Sequence, residues 1–452
     1  MRYLIPLLIM GCLGACGKKS RSPDRLPKIQ DFPGDSSGAE DWFNLDSTEG
    51  GINIDKVYAA SSPQHDVIVA VIDSGVSSTH EDLKDQLWTN PNEIPDNGID
   101  DDGNGYVDDI HGWNYLVASD GSSIYVETYE VTRELRRLML LQQQRELTEI
   151  ESTYLQTVQD AYNRGKARDP FSKQFDLEWQ QRVDDPDDFT PIDAQQPAYG
   201  NNKIIDDNGH GTHVAGIIAA NRSNEVGIRG IANRARIMIL KAVPDGDELD
   251  KDIYHAVRYA VDHGARVINM SFGKDFSPHQ EKVREAFVYA QENNVLLVHA
   301  AGNSGSDMDS SLFFPSRAVH SGQAFLDSWL DVGAVGPGAD SPLASFSNYG
   351  KTSVDIMAPG VNIKSCVPVD SYASYSGTSM AAPVVAGTAA LMFSLFPNLS
   401  AHELRTLMLE SVRSTGSSGQ TLPLEDKAIA GGVLDAYALM LKIQEHQATG
   451  LR

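Results

Sequence analysis

The run Val67-Ile68-Val69-Ala70-Val71-Ile72, halted by Asp73-Ser74-Gly75, decides the class of fold. Six apolar, mostly β-branched residues in succession leave no polar face. They predict a strand buried on both sides, as in a parallel sheet covered by helices. Runs of the same texture recur at Ile237 to Leu240, Val267 to Met270, Val295 to Ala300 and Val354 to Met357. Helical patterns lie between and after them. Asp252 to His263 carries Ile253, Ala256, Val257, Ala260 and Val261 on one stripe, with Gly264 as its stop. Ser400, with Glu403 three residues on, reads as a capping box. Strands alternating with helices predict an α/β fold with a parallel sheet and functional loops at the strand C-termini. Asp73, Ser271 and Asn303 each fall just after such a run.

The 452 residues allow one large domain or two to three ordinary ones. Lysine and arginine number 37 against 62 aspartates and glutamates, a formal net charge of −25. Phosphate backbones need clustered positive charge, so nucleic acid is excluded as an expected partner. Arg2 and the apolar stretch Tyr3 to Leu13 form a targeting segment too brief to span a membrane. It ends Leu13-Gly14-Ala15-Cys16, which resembles the lipobox of bacterial lipoproteins. That resemblance implies a signal peptide at 1–15, lipidation of Cys16 and a membrane anchor. Gly17 in place of an aspartate resembles lipoproteins sorted to an outer membrane. A plain secretory signal is the alternative. Residues 16–51 are polar and aperiodic and read as a tether. Of three cysteines, Cys12 would be removed and Cys16 acylated, which leaves Cys366 without a partner.

Two stretches fall outside the alternation. Residues 116–200 place Val131, Leu135, Leu138, Leu147, Ile150, Tyr154, Val158 and Ala161 at roughly helical spacing among Gln, Glu and Arg. One or two exposed amphipathic helices ending near Gly165 are expected, followed by an acidic loop at Asp184 to Asp188. This insertion reads as a solvated decoration, or as a lid or docking arm. The second stretch, Asp100 to Asp109, sets Asp100, Asp102 and Asn104 at positions 1, 3 and 5 of an EF-hand-like loop. Gly105 stands at 6, Tyr106 at 7 and Asp108 at 9, with His111 where a bidentate glutamate would be. Hard oxygen donors suit Ca2+ rather than zinc. The alternative is a solvated acidic turn.

Three further motifs carry chemistry. In Tyr375-Ser376-Gly377-Thr378-Ser379-Met380-Ala381-Ala382-Pro383, a turn opens an apolar run, Val384 to Phe396, patterned and too short to span a membrane. Ser379 then lies at a helix N-terminus, where free N–H groups favour a developing negative charge. Pro383 is expected within the first turn. Ser379 is either a helix cap or a nucleophile, the latter only with a base and an orienting acid. Asn208-Gly209-His210-Gly211-Thr212-His213 supplies a candidate base in His210, and His213 reads as structural. Asp73 could hold the imidazole tautomer. Asn303, in Ala300-Ala301-Gly302-Asn303-Ser304-Gly305, could donate to an oxyanion.

Val71 to Val76, His210 to Gly216 and Gly377 to Pro383 together resemble the three signatures of subtilisin-like serine proteases, in the same order along the chain. The resemblance covers about Ile54 to Leu441 apart from the insertion and implies a peptidase domain over 52–445. It implies a three-layer α/β/α fold with a mostly parallel central sheet, plus the largely helical insertion. It implies hydrolysis of polypeptide substrates by a catalytic triad of Asp73, His210 and Ser379, with Asn303 in the oxyanion hole. Ser271, Phe272 and Gly273 would pair with an extended substrate. The opposite rim, near Val243 to Glu248, is acidic and suggests basic residues on the N-terminal side of the cleaved bond. His80-Glu81-Asp82-Leu83 departs slightly from the family's pattern, and Gly17 to Ile54 is short for the usual folding-assisting propeptide. A monomer is expected. Two other readings stay open: a surface protein binding peptides or calcium without turnover, and a peptide ligase using the same acyl-serine.

Overall fold

The structure, a computed structural model, describes residues 42–118, 121–125, 127–165, 188–206, 208–317, 325–414 and 424–450. The signal peptide, Cys16, most of the tether and Asp184 to Asp187 lie outside these residues.

The chain builds β1 (Val67–Asp73), β2 (Gly112–Asn114), β3 (Ala235–Lys241), β4 (Val267–Met270), β5 (Leu296–Ala300), β6 (Trp329–Val335) and β7 (Ile356–Pro359). A hairpin of β8 (Ile363–Val367) and β9 (Ser371–Tyr375) stands apart, and β10 (Val412–Arg413) and β11 (Val433–Leu434) close one edge. The large sheet runs β10-β11-β7-β6-β5-β4-β1-β3-β2. Every neighbouring pair in it is parallel except β10 with β11.

The all-apolar run of β1 serves two cores through the two-residue period of a strand. Val67, Val69 and Val71 pack with α1 (Ile54–Ala60), α4 (His210–Ala219), α7 (Thr378–Leu395), α8 (Ala401–Leu409) and α9 (Ala436–Gly450). Ala70 and Ile72 face α5 (Asp250–Asp262) and α6 (Gln280–Glu292) instead. The result is three layers, α/β/α. α5 buries the whole predicted stripe from Ile253 to Val261. The Ser400–Glu403 capping box forms at the start of α8.

α7 threads the core and is apolar all round, which is why it has no solvent face. Its 18 residues are long and apolar enough to cross a membrane by length and composition, contrary to the expectation of a short run, yet 89% of them are buried inside the protein. Burial of each of its valines and leucines contributes roughly 1.5–3 kcal/mol. A charge placed on any face of α7 would be stranded. Pro383 also differs from expectation, since it sits in the second turn of the helix rather than the first.

Strand order reverses at β1: β3 lies on one side of it, and β4, β5, β6 and β7 follow on the other. Open α/β sheets leave a crevice beyond the strand C-termini at such a point. Asp73 closes β1 and Ser271 follows β4, so both stand at that crevice.

Candidate active site

Asp73 is fully buried at the end of β1, and its Oδ1 accepts a hydrogen bond from His210 Nδ1 at 2.7 Å. The same oxygen accepts the Ser74 N–H at 2.8 Å. With Nδ1–H directed at the carboxylate, the remaining ring nitrogen, Nε2, is the acceptor. Burial disfavours a charged His210, but the charge and hydrogen bond of Asp73, with a further contribution from Asp206, outweigh it. The pKa therefore stands above the usual 6.5.

His210 is the first residue of α4, preceded by Gly209 at φ 88°. What fixes this helix start is Asp206, a residue the sequence motifs did not single out. Its Oδ1 accepts the N–H groups of Asn208 and Gly209 and the Ser74 hydroxyl. Its Oδ2 accepts both the N–H and the hydroxyl of Thr212. One buried carboxylate thus ties the helix bearing His210 to the residue beside Asp73. His213 lies within the packing: its Nε2 is 3.0 Å from the carbonyls of Ile363 and Ala373, and burial pushes its pKa down to about 3. It is structural, as expected.

Ser379 is the second residue of α7, where its N–H precedes the first intrahelical bond. Asn303 is anchored through Oδ1, which accepts the N–H and hydroxyl of Thr378 at 2.9 and 3.0 Å. Asn303 is itself exposed and lines the same cleft as Ser379. Ser379 Oγ donates to the Ser271 carbonyl at 3.1 Å. Among the described residues, no hydrogen bond joins it to His210. Asp73, His210, Ser271, Phe272, Gly273, Asn303 and Ser379 all line one cleft of about 640 Å³. Five segments far apart in sequence therefore converge on one crevice.

A family model described as the subtilase family matches residues 64–428. The chain is a subtilase. It is 46% identical over 191 residues to a thermophilic serine proteinase of Bacillus sp. (strain AK1), covering 42% of this chain and 44% of that one. It is 36% identical over 221 residues to subtilisin DY of Bacillus licheniformis, covering 48% of this chain and 76% of that one. Subtilisin BL of Lederbergia lenta is 39% identical over 214 residues, 47% of this chain and 73% of its own. The match thus spans less than half of the first relative and about three quarters of the two subtilisins.

The insertion of this subtilase leaves and re-enters beside β2, where Asn114 and Asn201 exchange backbone hydrogen bonds at 2.8 and 3.0 Å. Among its described residues it holds two helices, α2 (Glu130–Gln144) and α3 (Glu149–Arg164), joined face to face through Leu135, Leu138 and Val158. Ile150 is not on that seam and is 82% exposed. The start of α2 is no solvated decoration. Glu130, Thr132, Arg133 and Glu134 are buried. Arg133 pairs with Glu130 at 2.6 Å, and Glu130 with Lys274 at 2.9 Å, itself paired with Asp250 at 2.8 Å. Tyr125 and Glu127 exchange backbone hydrogen bonds with Asp245 on the cleft rim.

That docking changes the meaning of the acidic rim. Asp247 Oδ2 accepts the Glu130 N–H at 2.7 Å, and burial raises its pKa to about 6. Glu248 is buried, which pushes its pKa up to about 8. The expected attraction for basic substrates is thereby weakened at Glu248.

The acidic loop also rearranges the expected donors. Asp108 directs both carboxylate oxygens at the N–H groups of Asn97 and Gly98. Asn104 turns its amide to Asp109 and His263, and the Tyr106 ring is buried against Trp113 and Tyr259. The side chains of Asn104 and Asp108 are thus engaged elsewhere in the loop, while Asp100 and Asp102 of the expected set come together. Glu93, Asp100 and Asp102 bring carboxylate oxygens within 4.8 Å of one another. Glu93 lies upstream of the loop, outside the spacing that pointed to it. Burial, reinforced by the charges of Asp109 and Asp102, holds its pKa above the usual range.

Proposed function

We propose that this subtilase is a serine endopeptidase that cleaves polypeptides through an acyl-enzyme on Ser379. The observation that carries the reading is the 2.7 Å Asp73–His210 pair facing the same cleft as Ser379 and the free amide of Asn303. An extended peptide adds along Ser271, Phe272 and Gly273, so main-chain bonds supply affinity. The scissile carbonyl oxygen takes hydrogen bonds from Asn303 Nδ2 and the Ser379 N–H. Rotation of the Ser379 hydroxyl away from the Ser271 carbonyl presents it to His210 Nε2, a contact that tightens on substrate binding.

His210 takes the hydroxyl proton as Oγ bonds to the carbonyl carbon. Asp73 stabilises the imidazolium and holds its orientation. The oxyanion rests on the two donors, fixed in place before reaction. His210 then gives its proton to the departing amine as the C–N bond breaks. Water, activated by the same base, releases the acid.

Two further assignments complete the reading. Glu93, Asp100 and Asp102 form an all-oxygen site suited to a calcium ion, which would neutralise their repulsion and stiffen the loop. Cys16 is the lipid attachment point, so that the enzyme is exported and anchored to the bacterial envelope, at the outer membrane. Mass analysis of products from a defined peptide tests the central step. Hydrolysed fragments, lost in Ser379→Ala and His210→Ala, are expected. Intact peptide, or ligated products in its place, would contradict it.

A further inference from the structure

The gap between the two main-chain walls of the cleft is filled from behind by one aromatic ring. One wall is Ser271, Phe272 and Gly273, after β4; the other is Ala300, which ends the neighbouring β5, with Ala301 and Gly302. Both walls lack a side chain where they face the gap, and the Phe313 ring stands there. Its Cζ would lie 2.5 Å from a Cβ on Gly273, and its Cε1 3.2 Å from a Cβ on Gly302. A side chain at Gly273 would collide with the ring, and one at Gly302 would press against it.

The ring is not free to drift. The next residue, Phe314, exchanges two backbone hydrogen bonds with Lys274, at 2.8 and 2.9 Å. Phe314 is itself buried, and Lys274 is held by Glu130 and Asp250. Phe313 therefore rides on the end of the segment that the substrate would pair with. Behind it lies a second cavity of about 180 Å³, lined by Phe313, His299, Ala301, Arg317 and Asp331 among others. Phe313 lines both spaces and separates them.

We infer that Phe313 determines specificity by closing the side-chain pocket for the residue whose carbonyl Ser379 attacks. The inference rests on the endopeptidase reading above. With the carbonyl oxygen on Asn303 and the Ser379 N–H, and the peptide paired along Ser271 to Gly273, that side chain enters the gap between the two walls. It meets the ring at once. Glycine, alanine and serine fit; leucine and phenylalanine do not. Removing the ring joins the two spaces into one deep pocket. An apolar pocket discriminates by roughly 10–200-fold per methylene-sized change, so the effect is large enough to read.

The test uses the full chain and chromogenic peptides identical except for alanine, leucine or phenylalanine before the cleaved bond. The native enzyme is expected to favour alanine by at least about tenfold in kcat/KM. Phe313→Ala should raise kcat/KM for the leucine and phenylalanine peptides by at least about tenfold, with Phe313→Leu intermediate. Equal cleavage of all three by the native enzyme, or an unchanged profile in both variants, overturns the inference. An active-site phosphonate carrying a small side chain separates the two levels. Labelling of Ser379 with a flat profile refutes the closed pocket alone, whereas absence of labelling refutes the endopeptidase reading and the pocket with it.

Discussion

Ser271 supplies to the Ser379 carbonyl the hydrogen bond that Pro383 cannot. Within α7 that carbonyl would accept the N–H four residues on, but residue 383 is proline and has none. Ser271 Oγ fills the place at 3.0 Å, and in turn accepts Asn269 Nδ2 at 2.9 Å. The helix break is thereby converted into a tie between α7 and the loop after β4.

Removing that tie has a cost that can be measured. Ser271→Ala leaves the Ser379 carbonyl and Asn269 Nδ2 short of a partner, which costs about 1–3 kcal/mol. Urea unfolding on a Ser379→Ala background, free of self-cleavage, reads it. Pro383→Ala restores an N–H, so the Ser271→Ala penalty should shrink in the double variant. Strictly additive effects would contradict the proposed substitution of one donor for another.

Asp206 acts on His210 through both position and charge. Its negative charge helps raise the imidazole pKa, so Asp206→Asn should lower that pKa. The base works only when neutral, and activity is lost as pH falls through its pKa. The acid limb of kcat/KM should therefore move to lower pH in the variant. The plateau should fall about tenfold, because an amide cannot accept from all the donors that now meet the carboxylate. A lower plateau with an unmoved limb would leave Asp206 a purely structural role.

The insertion is held to the cleft by ionised groups, and this gives it a pH signature. Burial alone would raise the Glu130 pKa, but Arg133 and Lys274 hold it well below the ordinary carboxylate range. A depressed folded pKa means the stabilisation is complete above the unfolded value of about 4.5 and is lost as pH falls towards the folded one. Glu130→Ala should cost about 3–5 kcal/mol by leaving Arg133 and Lys274 under-compensated. Limited proteolysis should then cut the insertion near α2. Equal resistance in native and variant protein would show that these pairs do not hold it.

Calcium should raise the melting temperature relative to excess chelator, and Glu93→Gln should abolish most of that difference. An equal response in native protein and variant would remove Glu93 from the ligand set.

Much of this was legible because the chemistry demanded it. A strand buried on both faces must be mostly apolar, so β1, β3, β4 and β5 announce themselves despite Asn269 and His299. β6 does not, although it is central in the sheet: Asp331 and Gly333 interrupt it. Asp331 pairs with the buried His299 at 2.7 Å, and Gly333 makes room for Met357. The strand expected at Val354 to Met357 lies two residues later because Asp355 turns inward to Arg317 and Arg405. Local motifs point to Asp73, His210, Asn303 and Ser379, which the fold brings to one cleft. They do not point to Asp206, Glu93 and Phe313, because each matters only through partners distant in sequence. Glu130 and Arg133 read as an ordinary solvated pair until Lys274 is brought against them.

The most direct test of the central claim is peptide mapping after reaction of the native enzyme with an active-site serine phosphonate. One adduct, on Ser379, is expected, and it should vanish on denaturation before labelling and in His210→Ala. No adduct, or one on another serine of the folded protein, would contradict the account.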